Sequence, residues 1–462
     1  VNLFRTKPIN ADIDRETGLH RCLSALDLTL LGIGAIIGAG IFVLTGIAAA
    51  THAGPAIVFS YVVAGLACAF TALAYAELAA MIGGCGSAYG YTYAGLGEFI
   101  AWIIGWDLIL EYGVGTAAVA IGWSGYVNNA LTALGFPLPD ALLKAPTAGG
   151  LINLPAALIV IALSILLAIG VRQSAHFNTA MVAVKLTAIG IFILVAAFNV
   201  QPANWHPFMP FGWEGVMRGA ALIFFAYIGF DAVSTAAEEA RNPARDLPIG
   251  ILASLAGCTI IYIVVSALLT GIVPYTSLNV PSPVANALLQ LGHRTAAGFI
   301  AAGAIAGLTT VMLVLYYGLT RVFLAMTRDG LLPPVFSAVH PATRTPVRII
   351  LICGVAIALI AGLTPIHDVA ELVNIGTLAA FALVCGGVVF LRYTRPEVAR
   401  PFKTPFSPVV PVLGVLFCLY LMLSLPAVTW WRFVIWLVIG LVVYFTYSRR
   451  HSLLNAAPSR NR

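Results

Sequence analysis

Twelve runs of predominantly apolar residues follow one another along the chain, separated by short polar stretches. A helix rises 1.5 Å per residue, so a run of about 20 residues crosses the roughly 30 Å hydrocarbon core of a bilayer. The runs fall near 27–50, 55–81, 97–131, 151–171, 176–200, 214–238, 248–273, 295–327, 346–363, 368–393, 408–426 and 429–448. The third and eighth are longer than a perpendicular crossing needs, which predicts tilt or projection from the membrane. A membrane β-barrel would instead show short segments of alternating polarity. The pattern predicts an all-α integral membrane protein with twelve transmembrane helices.

Composition agrees: 60% of residues are apolar and 9% charged, against roughly 25% charged in soluble domains. The net charge of +6 is spread over short loops rather than gathered on one basic face, which argues against nucleic acid as a partner. Seven cysteines are scattered without metal-ligand spacing, and in apolar runs a thiol acts as a small hydrophobe. The first 20 residues are polar, so no cleavable signal peptide is expected. Of the 24 Lys and Arg residues, 18 fall on the side of the two termini and four on the other, with Lys185 and Arg321 inside spans. Basic residues collect on the cytoplasmic side, so both termini are expected there. The short tails and the absence of eukaryotic sorting signals lead to the expectation of a bacterial inner membrane.

Two spans carry weak points in matching places. The first contains four glycines within nine residues (Gly32, Gly34, Gly38, Gly40), and the sixth contains Phe224-Phe225-Ala226-Tyr227-Ile228-Gly229-Phe230-Asp231. Glycine costs about 1 kcal/mol relative to alanine in a helix interior, and unwinding at membrane depth is tolerated only where backbone lines a cavity or is buried in protein. Freed N–H groups at a half-helix start suit a carboxylate, and freed carbonyls suit an ammonium group. A broken helix can therefore hold both ends of an α-amino acid. Close packing through small residues would explain the first stretch alone. The second, five spans later, favours a site and an inverted repeat.

The blocks LGIGAIIGAGIFVLTG (31–46), YAELAAMIGGCGSAYGYTYAGLGEFIAWIIGWDLILEY (75–112), FFAYIGFDAVSTAAEEARNPARDLPIGI (224–251), RVFLAMTRDGLLP (321–333) and ELVNIGTLAAFALV (371–384) resemble the amino acid–polyamine–organocation superfamily, and within it the cationic amino acid transporters. The resemblance implies a 5+5 inverted-repeat core with broken helices 1 and 6, plus two peripheral helices. It divides the chain into a cytoplasmic segment 1–26, repeats 27–200 and 201–395, helices 11 and 12 in 396–448, and a tail 449–462. It further implies an L-amino acid at the breaks. Backbone N–H groups of Gly38, Ala39 and Gly40 would take the carboxylate. Carbonyls around Ile36 and Ile37, with those of Phe224, Phe225 and Ile228 flanking Ala226, would take the ammonium. An aromatic, Phe225 or Tyr227, would close over the substrate.

Ionisable groups inside a membrane are costly and mark function by default. Lys185 lies about nine residues into the fifth span, where snorkelling of its stem to the interface is the alternative to a functional role. The resemblance implies that its ammonium replaces the sodium that sodium-coupled relatives hold between spans one, five and eight. The coupling ion would then be a proton, with no other cofactor and no metal. Asp107 and Glu111 share a face of the third span. Glu111, the deeper, is expected to face the cavity and attract a cationic side chain, although uncharged residues are usual there in the animal members. Asp231 reads as a brace for the sixth span and Glu77 as structural or part of an inner gate. Arg321 is expected to latch onto Glu238, Glu239 or Asp329.

The expected function is secondary active import of L-amino acids, cationic and possibly small neutral ones, by proton-coupled alternating access. An exchanger or uniporter of the same fold and a non-translocating sensor are the alternatives. No filter or charged ring suggests a channel. No HExxH or GxSxG spacing suggests an enzyme. The partners are the substrate and the bilayer; a small accessory membrane subunit stays an open possibility.

Overall fold

A computed structural model describes residues 3–7, 23–82, 87–169, 175–231, 233–234, 240–338, 340 and 345–456. Among them there is no strand beyond one isolated bridge, Leu23 with Ala240. Twelve helical passages follow in the expected order. Span 1 is Ala25–Ile36 followed, after a bend at Ile37 and Gly38, by helical turns through 40–53. Spans 2 to 5 are Ile57–Ile82, Glu98–Ala133, Leu154–Ile169 and Ala175–Ala197. Span 6 is Gly212–Ile223 continued by a tight turn Phe224–Tyr227. Spans 7 to 12 are Pro243–Ile272, Arg294–Arg328, Val347–Leu363, Ile366–Thr394, Val409–Leu423 and Ala427–Val443, the last extended by further helical turns. Among the described residues seven helical stretches are long and apolar enough to cross a bilayer as they stand, and the shorter apolar helices Ala25–Ile36, Leu154–Ile169, Val347–Leu363 and Val409–Leu423 add to them. The protein is a multi-pass membrane protein.

Local chemistry explains the ends of span 1. Ser24 caps its start reciprocally with Asp27: the Ser24 N–H donates to Asp27 Oδ2 at 2.9 Å and the Asp27 N–H to Ser24 Oγ at 3.3 Å, satisfying two groups a helix start leaves bare. Span 7 begins five residues earlier than the hydropathy suggests, because Pro243 suits a first helical turn.

The packing pattern carries the symmetry. Span 1 packs on span 7 as span 6 packs on span 2, and span 5 packs on span 8 as span 10 packs on span 3. Spans 2 and 7, 3 and 8, and 4 and 9 pack pairwise. Exchanging each span with the one five later maps these pairs onto one another. Short helices, Ser87–Gly95 between spans 2 and 3 and Pro283–Gln290 between spans 7 and 8, also correspond and were not foreseen. Five is odd, so the second set runs in the opposite sense. Spans 11 and 12 pack outside, span 12 through Trp102 and Trp106, whose indole N–H groups donate to Gly440 O and Trp436 O at 3.0 and 2.9 Å.

The N-terminal segment lies under this core. The Glu98 N–H donates to Arg5 O at 2.8 Å, and the Glu98 carboxylate accepts from Tyr93, Tyr444 and Ser452. Lys7 pairs with Asp329 at the end of span 8, which also accepts from Tyr89 at 2.6 Å.

Candidate functional site

The two breaks cross at the centre of the molecule. A Cβ on Gly40 would stand 2.2 Å from Ala226 Cα, so the backbones meet with nothing between them. Gly229, at φ +119°, would put a Cβ 2.9 Å from Ala35 carbonyl atoms. A side chain is excluded there both by conformation and by space. These glycines are present because two main chains must touch.

Between the breaks lies a hollow lined by Ala35, Ile36, Gly38, Ala39, Gly40, Gly115, Val119, Phe225, Ile228, Val311 and Leu315. Its volume is about 10 Å³, room for roughly one water. Its side chains are all apolar. Of the residues named from the sequence, Ile36, Gly38, Ala39, Gly40, Phe225 and Ile228 line this hollow. Ile37, Phe224, Ala226 and Tyr227 are buried beside the hollow without lining it. Tyr227 turns away and donates to Tyr61 O at 2.9 Å, which leaves Phe225 as the aromatic at the hollow.

Two polar side chains that sequence reasoning missed hold the breaks. Tyr262 of span 7 sits with its hydroxyl 2.9 Å from both Ile36 O and Ala226 O, bridging the broken helices. Asn374 of span 10 donates through Nδ2 to Ala221 O and Leu222 O, each at 2.8 Å. It satisfies carbonyls that the end of a half-helix leaves without partners. A tyrosine or asparagine in an apolar run gives no signal that its partner is a carbonyl of another span.

Lys185 is fully buried. Its ammonium donates to Gly34 O at 2.6 Å, in the first half of span 1, and its stem lies against Gly307 of span 8. It does not snorkel; it joins spans 1, 5 and 8. Glu111 is buried one turn along span 3 from Gly115 and does not line the hollow. Its Oε1 and both carboxyl oxygens of Asp107 have no hydrogen-bond partner among the described residues. Asp231 accepts from Tyr112 at 3.0 Å, tying span 6 to span 3.

Glu77 receives Arg392 through Nε at 2.9 Å and Nη2 at 2.6 Å, and the Thr404 N–H at 2.8 Å. Arg400 lies at 3.5 Å. This bidentate pair fixes span 2 to span 10 and to the connection beyond it. The expected Arg321–Asp329 latch is not formed. Arg321 points outward and stacks over the Tyr317 ring at 4.6 Å, and Asp329 is occupied by Lys7 and Tyr89. Glu238 and Glu239, the other expected partners, lie outside the described residues.

Comparison with known proteins agrees with this architecture. Residues 23–447 match the family model described as amino acid permease. The chain is 53% identical over 462 residues to the branched-chain amino acid permease BcaP of Bacillus subtilis (strain 168), covering 98% of this chain and 99% of that protein. It is 50% identical over 458 residues to the methylthioribose transporter of the same organism, with 98% and 99% covered. It is 40% identical over 400 residues to the human cationic amino acid transporter 4, covering 85% of this chain and 63% of that one. These relatives are transporters and permeases rather than enzymes. The chain belongs to the amino acid permease family of the amino acid–polyamine–organocation superfamily.

Proposed function

We propose that the protein imports an apolar L-amino acid of the branched-chain class by proton-coupled alternating access. The hollow carries this reading. Peptide groups at two helix breaks suit a zwitterion, and every side chain around them is apolar. The start of the helix at Gly38, Ala39 and Gly40 would receive the carboxylate. Ile36 O and Ala226 O, which share the single hydroxyl hydrogen of Tyr262, each keep a lone pair for an ammonium hydrogen.

The cationic side chain implied by the resemblance would bury its charge in the hollow without an acidic neighbour in the lining, at a cost of several kcal/mol. Glu111, a turn away, does not line that space. A methylthioribose-like substrate would lack both charged ends and find no hydroxyl-bearing side chain in the lining. The hollow admits about one water, so admission of a leucine requires Phe225 or the second half of span 1 to move. Binding and conformational change are thereby linked.

Lys185 supports proton coupling. Its ammonium rests on a carbonyl of the half-helix that forms the site, so gain or loss of that proton bears directly on span 1. The bias of basic residues supports placing both termini in the cytoplasm, and the bacterial relatives support a cell-membrane location. The test is uptake of labelled leucine into proteoliposomes with and without an inward proton gradient. Leucine should accumulate only with the gradient, and Lys185→Ala should abolish accumulation; persistence in the variant refutes proton coupling. Unlabelled arginine or methylthioribose competing at lower concentration than leucine would overturn the substrate class.

A further inference from the structure

A second hollow, of about 310 Å³, lies apart from the substrate site on the face that carries the N-terminal segment. The side is fixed by the start of span 7: the Arg241 N–H donates to Leu23 O at 2.9 Å, just before span 1. Arg245, Pro248, Ile249 and Leu252 of span 7 form one wall, and Pro401 and Phe402, between spans 10 and 11, form the other.

The slot opens toward lipid. Ile249 is 40% exposed, and Ala253, Ala256, Ile260 and Val264 continue the exposure along the same span. Their spacings of four, three, four and four residues put them on one face of a helix. An apolar track therefore runs from the slot toward the bilayer centre.

The mouth of the slot is cationic. Arg245 lines it, and Lys403 follows Phe402 directly. Both are exposed, and neither side chain has an ion pair or hydrogen bond to a described residue. Neighbouring basic groups differ: Arg392 and Arg400 are held by Glu77. Asp246, the acid beside Arg245, accepts from the Asn242 N–H at 3.1 Å and caps the helix start. Arg245 in the wall and Lys403 beside it in sequence, neither partnered among the described residues, thus flank an apolar slot that continues into a lipid-facing track. Snorkelling alone would explain the cations but not the slot between two chain segments.

We propose that this slot is a binding site for an anionic phospholipid. Its phosphate would lie against Arg245 and Lys403, its glycerol region between Ile249 and Phe402, and an acyl chain along Ala253, Ala256 and Ile260. The lipid would join span 7, which carries Tyr262, to the segment that Glu77 anchors through Thr404. It would thereby tie the helix that clamps the substrate breaks to the fixed connection after span 10. This inference is independent of the substrate assignment.

The experiment combines thermal denaturation and native mass spectrometry of the purified full chain. Micelles are supplemented with phosphatidylglycerol, phosphatidylcholine or inorganic phosphate. Phosphatidylglycerol should raise the melting point above that in phosphatidylcholine, and inorganic phosphate should not. Arg245→Gln and Lys403→Gln should each reduce retained phosphatidylglycerol about fivefold, the effect of one basic residue near an anionic surface. Ile249→Trp, which fills the slot and keeps both cations, should also reduce it, and Arg245→Lys should retain it. The proposal is overturned if the double Gln variant keeps the full stabilisation, if Ile249→Trp binds as the parent does, or if inorganic phosphate reproduces the effect.

Discussion

Removing one oxygen, in Tyr262→Phe, tests whether the two broken helices are held together as described. The ring would keep its contacts with Tyr61 and Tyr227, at centroid distances of 5.3 and 5.5 Å, so packing is preserved and only the hydroxyl goes. That hydroxyl has one hydrogen and two carbonyls at 2.9 Å. At any moment it makes one full hydrogen bond or two shared ones, and the loss should be counted as one bond. The bond contributes about 1 kcal/mol net, and a buried carbonyl left without a partner adds roughly 1–2 kcal/mol. The expected destabilisation is therefore about 2–3 kcal/mol. If half of that is felt at the adjacent substrate groups, leucine affinity falls about tenfold. Melting temperature, and its rise with added leucine, measure both effects in the same sample. A Phe variant that melts with the parent and binds leucine equally would show that the bridge does not hold the breaks.

Gly40→Ala should abolish substrate binding while leaving helix content by circular dichroism near the parent's, because its Cβ would collide with main-chain atoms of Ala226, 2.2 and 2.9 Å away; parental affinity would contradict the crossing. Glu77→Gln should lower the melting temperature. Breaking a buried ion pair costs roughly 3–5 kcal/mol, and since the Arg392 side chain is 25% exposed, the low end of that range or less is expected; an unchanged melting point would refute the anchor. Val311→Ala removes two methyl carbons opposite Gly38 and should shift preference toward longer apolar amino acids by about tenfold or more, since one methylene alone is worth roughly tenfold. Unaltered competition profiles for methionine, phenylalanine and valine would place the side-chain pocket elsewhere.

The length of each apolar run, set by bilayer thickness, made the twelve passages legible in the sequence. The glycines at 38, 40 and 229 marked the breaks, because only a residue without Cβ can sit where two backbones touch. Other parts depended on which way a helix faces. Lys185 and Arg321 look alike as charges inside apolar runs, yet one ends on Gly34 O and the other stacks outward on Tyr317. Burial of one helix face is decided by neighbours far away in the chain. Tyr262 and Asn374 were illegible for a related reason: they serve main-chain carbonyls, which have no identity in a sequence. Glu111 was expected at the substrate, and one helical turn separates it from the lining at Gly115. The short helices between spans 2 and 3 and between spans 7 and 8 carry little hydrophobic signal and emerged only with the symmetry.

The amide of Asn374 has a consequence for the carrier between two rounds of work. An opened helix end exposes carbonyls that would otherwise demand either cargo or water at the middle of the bilayer. Here span 10 answers it for Ala221 and Leu222 from within the protein, so those two carbonyls need neither. Under the proposed uptake function, such an arrangement would let the empty carrier turn back without a second molecule aboard.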